Sequence, residues 1–178
     1  EEAWRELIEL YSRYIFSILI KMNVSQSDAD ELHQEIMLKL WKRLPDLDVE
    51  NLRFRNYLST VTKNTVLNFI RSRKRRIERE EKAVTDSTIS YLDAIRLPEL
   101  EEIAEKEWET FLTKMALKNV KKSYSGNAIK VFLKTTEGKS GEQIAEELSI
   151  KVPTVYRLRA RVKESMMKEI ARLRFDLD

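Results

Sequence analysis

Helix-breaking residues are scarce in this chain, which has only three Gly and three Pro among 178 residues. Gly and Pro are the residues that most often end a regular element or shape a tight turn. Apolar residues also recur at three- and four-residue spacing along most of the chain, which is the pattern of an amphipathic helix. We therefore predict an all-α fold.

The front part of the chain contains four stretches of helical spacing, which we group into one domain, residues 1–80. The first helix covers residues 3–22. The second follows Ser27, a candidate N-cap with acidic residues directly behind it. A third helix covers residues 54–62, and a break at Lys63–Asn64 separates it from a fourth that continues into a basic run.

The rear part of the chain predicts a second domain, residues 105–178, after a linker over residues 81–104 that mostly lacks sustained periodicity. Two helices meet at the turn "SIKV", and Ser140 with Gln143 has the spacing of a capping box before the first of them. Pro153 suits the first turn of the second, where a missing N–H costs no hydrogen bond. A packing helix followed by two helices and a short turn predicts a helix-turn-helix, winged-helix-like domain.

The net charge of +3 says little about partners, but the distribution of charge is uneven. Residues 71–79, "RSRKRRIER", hold six basic side chains and one acid. Residues 99–109, "ELEEIAEKEWE", hold six acids and one Lys, and residues 151–174 hold eight basic residues and two acids. Two basic blocks therefore flank an acidic one.

The last helix carries a candidate DNA-binding face. Val155, Leu158 and Val162 have the spacing of a buried stripe, which leaves a polar set for solvent or DNA. This set is Lys151, Thr154, Tyr156, Arg157, Arg159 and Arg161. Arginine can bond two acceptors of guanine or of a phosphate at once, so these residues suit DNA recognition. The alternative is a helical hairpin with a charged outer face, and which of the side chains would touch bases stays open.

The segments "SDADELHQEIMLKLWKRL" and "FRNYLSTVTKNTVLNFIRSRKRR" resemble the sigma-70 family, specifically its small extracytoplasmic-function (ECF, group 4) type. The rear helix-turn-helix resembles the family's second DNA-binding domain, in the order that the family uses. The resemblance covers about residues 3–80 and 105–173. It implies a four-helix region 2 domain and a region 4 domain joined by a linker.

The resemblance implies a sigma factor, a dissociable subunit that brings core RNA polymerase to promoters. Its partners would be core RNA polymerase, through the beta-prime coiled coil and the beta subunit, and promoter DNA. The residues implied in polymerase binding are Asp30, Glu31, Gln34, Glu35, Leu38 and Trp41. For Asp30 and Glu31, an equally simple explanation is that acids favour the positive end of a helix.

The resemblance also assigns recognition of the promoter −10 element to the basic end of the front domain. The residues are Lys63, Asn64, Asn68, Arg71, Arg73, Lys74, Arg75 and Arg76. The Asn64 amide can donate and accept hydrogen bonds toward a flipped base, and it could also cap the fourth helix. The −35 element is assigned to the polar set of the last helix.

Several function classes are disfavoured by what the chain lacks. There is no Cys, no Gly-rich phosphate loop, and one histidine, His33, which we expect to be an exposed helix residue. We therefore expect no enzyme activity, no metal and no cofactor. The longest apolar run, "YIFSILI", is too short to span a membrane, so we expect no membrane insertion and a cytoplasmic location.

Two alternatives to a sigma factor follow from the same residues. One is a helix-turn-helix regulator that binds duplex DNA without polymerase. The other is an interaction protein that mimics a sigma factor, although both basic blocks are intact and a mimic has no need of them. The resemblance also leaves room for an anti-sigma factor or another recruiting protein, which no residue here identifies.

Overall fold

The computed structural model describes residues 2–43, 54–79 and 86–177, and every regular element among them is helical. The α-helices are α1 (Glu2–Lys21), α2 (Gln26–Arg43), α3 (Phe54–Arg79), α4 (Asp86–Asp93), α5 (Leu100–Lys121), α6 (Ala128–Thr136), α7 (Gly141–Leu148) and α8 (Val152–Leu177). A single 3-10 turn at Leu97–Glu99 precedes α5. The prediction of an all-α fold is confirmed.

The chain divides into two compact units, a front unit of Glu1–Glu109 and a rear unit of Thr110–Asp178. The boundary falls inside the span of α5. In the front unit, α2 packs against both α1 and α3. Its core is built from the apolar stripes that the sequence predicts, with Ile15, Ile36 and Leu58 fully buried.

The start of α2 differs in detail from the prediction. The helix begins at Gln26, and the Ser25 hydroxyl accepts a hydrogen bond from the Asp28 backbone N–H at 3.3 Å. Ser25 is therefore the capping residue, and Ser27 lies inside the first turn. The two serines are two residues apart, and the sequence alone does not distinguish them because both are followed by acids within three positions.

The predicted break at Lys63–Asn64 is wrong, because α3 is one continuous helix from Phe54 to Arg79. Two threonines near this point are fully buried, Thr62 and Thr65. The Thr62 hydroxyl donates to the Leu58 carbonyl at 2.9 Å, and that of Thr65 to the Val61 carbonyl at 2.8 Å. These buried hydroxyls are therefore satisfied within the continuous helix and need no break in it to find a partner.

The segment predicted as a linker is largely folded onto the front unit, while residues 80–85 lie outside the described part of the chain. Its residues 86–93 form α4, with Leu92 buried, and Ile95 is buried just beyond it. The Arg96 N–H donates to the Met22 carbonyl at 2.9 Å. The unit therefore extends well past residue 80, because this segment finds partners 63 to 74 positions earlier in the sequence.

The start of α5 completes the front unit through an aromatic cluster. Trp108 is 1% exposed, and its ring lies parallel to that of Tyr11 and edge-on to that of Tyr14. The Tyr14 hydroxyl donates to the Ala104 carbonyl at 3.1 Å. The start of this helix is rich in acidic residues, but its apolar stripe is part of the core.

The rear unit is built around the contacts of α6 and α7 with α8. Val131, Ile144, Ala145 and Val155 form its central cluster. The turn residues and the predicted stripe of α8 pack against that cluster through Leu148, Ile150, Val152 and Leu158. The predicted buried stripe of α8 is confirmed for Val155 and Val162, and Leu158 is partly buried at its edge.

Local signals at the ends of the rear helices are also confirmed. Ser140 and Gln143 form both reciprocal hydrogen bonds of a capping box at the start of α7, a feature that contributes about 1 kcal/mol to helix stability. Gly138 has a φ of 87°, which lets the chain turn sharply after α6 at no steric cost. Pro153 lies in the first turn of α8, as expected.

Candidate nucleic-acid and protein interfaces

The polar face of α2 is an exposed surface that contains every residue predicted to bind polymerase. These are Asp30, Glu31, Gln34, Glu35, Leu38 and Trp41, all exposed. At about 100° per residue, Glu31, Gln34, Glu35 and Leu38 share one side of the helix. Leu38 and Trp41 are 53% and 50% exposed, which is unusual for large apolar side chains. The surface, here called the α2 face, is an apolar centre with an acidic border.

His33 lies beside the α2 face but is half-buried, so the expectation of an exposed histidine is wrong. Its Nε2 lies 2.8 Å from the Ser12 hydroxyl oxygen, and its ring meets the ring of Phe16 edge-on. Burial lowers the pKa of His33 below its usual value, against a smaller opposing effect of the Asp30 carboxylate. The histidine joins α1 to α2 and is not part of the exposed surface.

One side of α3 aligns four of the residues predicted to bind the −10 element. Asn64, Asn68, Arg71 and Arg75 are exposed and follow one another at three- or four-residue spacing, so they share one helix face. The α3 face therefore presents two amides and then two guanidinium groups over about three turns. Asn64 lies inside the helix, so its alternative role as an N-cap is excluded.

The remaining cations of that set point elsewhere and are mostly engaged with carboxylates of the same unit. The Lys74 ammonium lies 2.6 Å from Asp93, and Lys63 forms an ion pair with Glu101. All four of these side chains are about half exposed. Lys63 also lowers the pKa of the Glu101 carboxyl by hydrogen bonding to it. Arg76 is exposed on the flank of the helix.

Arg73 belongs to a small hydrogen-bonded cluster at the first turn of α2. Its guanidinium lies 3.1 Å from Asp28, and its carbon lies 5.1 Å above the centre of the Phe69 ring. The Tyr91 hydroxyl donates to the same Asp28 carboxylate at 2.7 Å and accepts from the Ser25 N–H at 3.1 Å. The cluster connects α2, α3 and α4, so Arg73 has a structural role in the front unit.

On α8, the predicted DNA-binding residues are divided between the centre and the edge of the exposed surface. Arg157 and Arg161 are four positions apart and lie opposite the buried stripe. Arg159 is exposed but lies near the border of that stripe. None of these three arginines forms an ion pair with the described residues. The α8 face, Arg157 with Arg161, is therefore an unneutralised cationic surface.

Arg161 is held in place by Tyr124, a residue that the sequence analysis did not single out. The guanidinium carbon lies 5.8 Å from the centre of the tyrosine ring, a cation–π geometry. The Tyr124 hydroxyl donates to the Arg161 carbonyl at 3.0 Å and lies 2.7 Å from the Ser165 hydroxyl. No local pattern could have revealed the contact, since 37 positions separate the two residues.

The other residues of the predicted −35 set lie around the start of α8. Lys151 is exposed in the turn, whereas Thr154 is half-buried. Tyr156 is 50% exposed and its ring lies directly on the backbone of Gly141, the first residue of α7. Sequence reasoning also missed Gly141, because a Gly at a helix start carries no signal of a contact fifteen positions away.

Two absences among the described residues concern metal sites and membrane-spanning helices. No cluster of three or more His, Asp or Glu side chains in residues 2–43, 54–79 and 86–177 could hold a metal ion. Over the same ranges, none of the helices combines the length and the apolar character that crossing a bilayer requires.

Comparison with known families gave one informative result. Residues 7–76, which contain most of α1, all of α2 and most of α3, match the family model described as Sigma-70 region 2. Comparisons with curated proteins and with solved structures gave no match. The matched segment is less than half of the 178-residue chain, and it contains both the α2 face and the α3 face. The match supports the interpretation of residues 7–76 as region 2 of a sigma-70 family sigma factor.

Proposed function

We propose that this protein is a sigma factor that binds core RNA polymerase, recognises the −10 and −35 elements of promoters and directs transcription initiation. The observation that carries the proposal is the order of parts in one chain: a segment matching sigma-70 region 2, followed by a helix pair with an unneutralised cationic face. Sigma-70 region 2 is a family of transcription factors without enzymatic activity. We extend that to this chain and propose that it needs no cofactor.

The α2 face is the proposed surface for core polymerase, with the beta-prime coiled coil as its partner and the beta subunit as a further contact. Leu38 and Trp41 supply an apolar centre of the kind that dominates binding energy at interfaces. Glu31 and Glu35 at its border would face basic side chains of the partner, which governs orientation and encounter rate. Glu35 is 2.6 Å from Lys39, so part of its charge is already balanced.

The α3 face is the proposed surface for the −10 element. Asn64 and Asn68 can each donate and accept at a base edge, while Arg71 and Arg75 would hold phosphates beside the opened strand. Opening a base pair costs a few kcal/mol of stacking, which contacts to the exposed base must offset. The order of amides followed by guanidinium groups along one helix face suits that division of work.

The rear unit is the proposed −35 reader, with α7 and α8 as a helix-turn-helix. The start of α8 would enter the major groove, where Arg157 can bond two acceptors of a guanine. Arg161 and Lys151 would contact phosphates on either side. We further propose an ECF-type protein that acts in the cytoplasm and is controlled by an anti-sigma factor or another recruiting protein.

The proposal is tested by adding the purified chain to bacterial core polymerase and sequencing the transcripts that start on genomic DNA fragments. We expect starts that share two upstream sequence elements and that decrease with Asn64→Ala or Arg157→Ala. A matched control is Arg172→Ala, which removes an arginine that is already bonded to Glu169 and Asp176.

Other outcomes would separate the alternatives. Tight binding to core without any initiation would contradict the proposed initiation activity and favour a mimic. Sequence-selective duplex binding without any affinity for core would favour a helix-turn-helix regulator that works independently of polymerase.

A further inference from the structure

The aromatic ring of Tyr156 occupies the space in which residue 141 would carry a side chain. A Cβ built on Gly141 would lie 2.9 Å from the Tyr156 hydroxyl oxygen and 3.0 Å from the ring carbon that bears it. Cβ atoms in proteins essentially never lie so close to another heavy atom. A ring in this position is therefore compatible with glycine at position 141 and with no other residue.

The backbone beneath the ring is well fixed. Ser140 and Gln143 hold the first turn of α7 through the reciprocal hydrogen bonds of their capping box, at 2.9 and 3.3 Å. Ile144 then anchors α7 in the core, and Val155, next to Tyr156, anchors α8 in the same cluster. The ring thus lies against the capped first turn of α7, and the helix that carries it is anchored in the same core cluster.

The backbone conformation of Gly141 does not require a glycine. Its φ is not among the positive values, which in the described residues occur at Asn23, Gly126, Gly138 and Ser149. Alanine has a higher helix propensity than glycine, so a methyl group here would favour α7. A side chain at position 141 would instead displace the Tyr156 ring. The ring is the far end of a flexible, half-exposed side chain, so it moves more easily than the backbone does.

We propose that Gly141 is a positioning residue for DNA recognition, which holds the Tyr156 ring in one orientation toward the bases of the −35 element. The inference rests on the proposed function of the rear unit. A ring fixed before binding loses less conformational entropy in the complex than one that must be ordered there. Its hydroxyl can donate or accept at a base edge, and its apolar edge can contact a thymine methyl group.

The test measures DNA binding of the full chain and of Gly141→Ala, with duplexes selected from a random-sequence library by the unaltered chain. We expect the substitution to weaken binding roughly 5- to 10-fold, the lower end of the range for one lost base contact. We expect the loss of preference to be confined to one or two base positions. The thermal midpoint of unfolding should stay the same or rise, since α7 gains a better helix former.

The matched control is the same substitution in a Tyr156→Ala background, where no ring occupies the space. There, Gly141→Ala should leave binding unchanged. An equal loss in both backgrounds would mean that the methyl group itself obstructs DNA, and this would overturn the inference. No loss in either background would overturn it too.

A second measurement needs no DNA and keeps this inference separate from the proposed function. In the free chain, nuclear Overhauser contacts should connect the Gly141 α-protons with the Tyr156 ring protons. Their absence would sink the positioning role, even if the chain binds promoters. If the contacts are present but selection with the unaltered chain enriches no sequence from the library, then the proposed function fails and the role in recognition fails with it.

Discussion

The basic residues of α3 and those of α8 belong to the same compositional class but have different electrostatic surroundings. On α3, Lys63, Arg73 and Lys74 are all matched by carboxylates of the front unit. On α8, Arg157 and Arg161 face outward without an ion pair among the described residues. A cation that is already paired must exchange a carboxylate for a phosphate, so its net gain on binding DNA is smaller. Counting basic residues in the sequence would therefore overestimate the affinity of α3 for DNA relative to that of α8.

The largest effect expected from this comparison concerns Arg157. Arg157→Ala should reduce affinity for a selected duplex about 10-fold or more, because an unpaired guanidinium loses a complete contact with a base or phosphate. Lys74→Ala should reduce the affinity by clearly less, because Lys74 must give up its ion pair with Asp93 before it can bind DNA. Fluorescence anisotropy titrations at two salt concentrations would measure both. An equal loss of affinity for the two variants would contradict the proposed difference between α3 and α8.

A smaller effect is expected from the carboxylates that face α3. Asp93→Asn and Glu101→Gln should each raise affinity for a random-sequence duplex about two- to threefold, because the freed Lys74 or Lys63 then has only phosphate to pair with. The control is Glu105→Gln, which removes the same charge beside Arg55, a residue outside the predicted DNA-binding set. An equal increase for the control would attribute the effect to net charge alone.

The smallest expected effect separates the two units by their response to acid. Burial lowers the pKa of His33 in the folded front unit. The unfolded chain therefore binds a proton at this histidine at a higher pH than the folded chain does. The front unit should lose stability as the pH falls below about 6.5. In the rear unit, hydrogen bonds from Arg172 and Asn119 lower the pKa of Glu169 from 4.5 to about 2. That carboxylate contributes stability above its unfolded pKa, and the contribution is lost only as the pH falls from about 4.5 toward 2.

Hydrogen exchange measured separately for peptides of each unit would test this difference. Between pH 7 and 5, protection should decrease in the front unit and stay constant in the rear unit. His33→Gln should remove the decrease, and Glu169→Gln should leave it unchanged while lowering rear-unit protection at pH 5. A parallel decrease in both units would show that His33 does not control the response.

The parts of the fold that the sequence predicted correctly depend on neighbours within a few positions. The capping box of Ser140 and Gln143 and the buried stripe of Val155, Leu158 and Val162 follow from helical geometry, so residue spacing was enough. The α2 face instead follows from the family resemblance, because an amphipathic pattern alone does not predict that Leu38 and Trp41 are exposed. The DNA-binding sets stay predictions, and the structure adds which of their members share a helix face.

The errors in the extent of the front unit and in the exposure of His33 have the opposite cause, because both depend on contacts between residues that are distant in sequence. The predicted break in α3 was wrong because the buried Thr62 and Thr65 bond to carbonyls inside the helix, which their polarity does not reveal. The extent of the front unit was underestimated because Tyr91 and Trp108 contact residues of α2 and α1 that are distant in sequence. His33 is half-buried because Ser12 and Phe16 of another helix cover it.

The sequence by itself determined that this chain is helical, where most of its helices lie, and that its segment 7–76 carries the pattern of sigma-70 region 2. These properties depend on the local spacing of apolar residues, on the scarcity of Gly and Pro, and on residue order. Only the tertiary structure decided which cations are neutralised, that Tyr124 supports Arg161, and that Tyr156 lies on Gly141. Such contacts join residues that are 15 to 45 positions apart, and their existence depends on how helices pack, which local spacing does not specify.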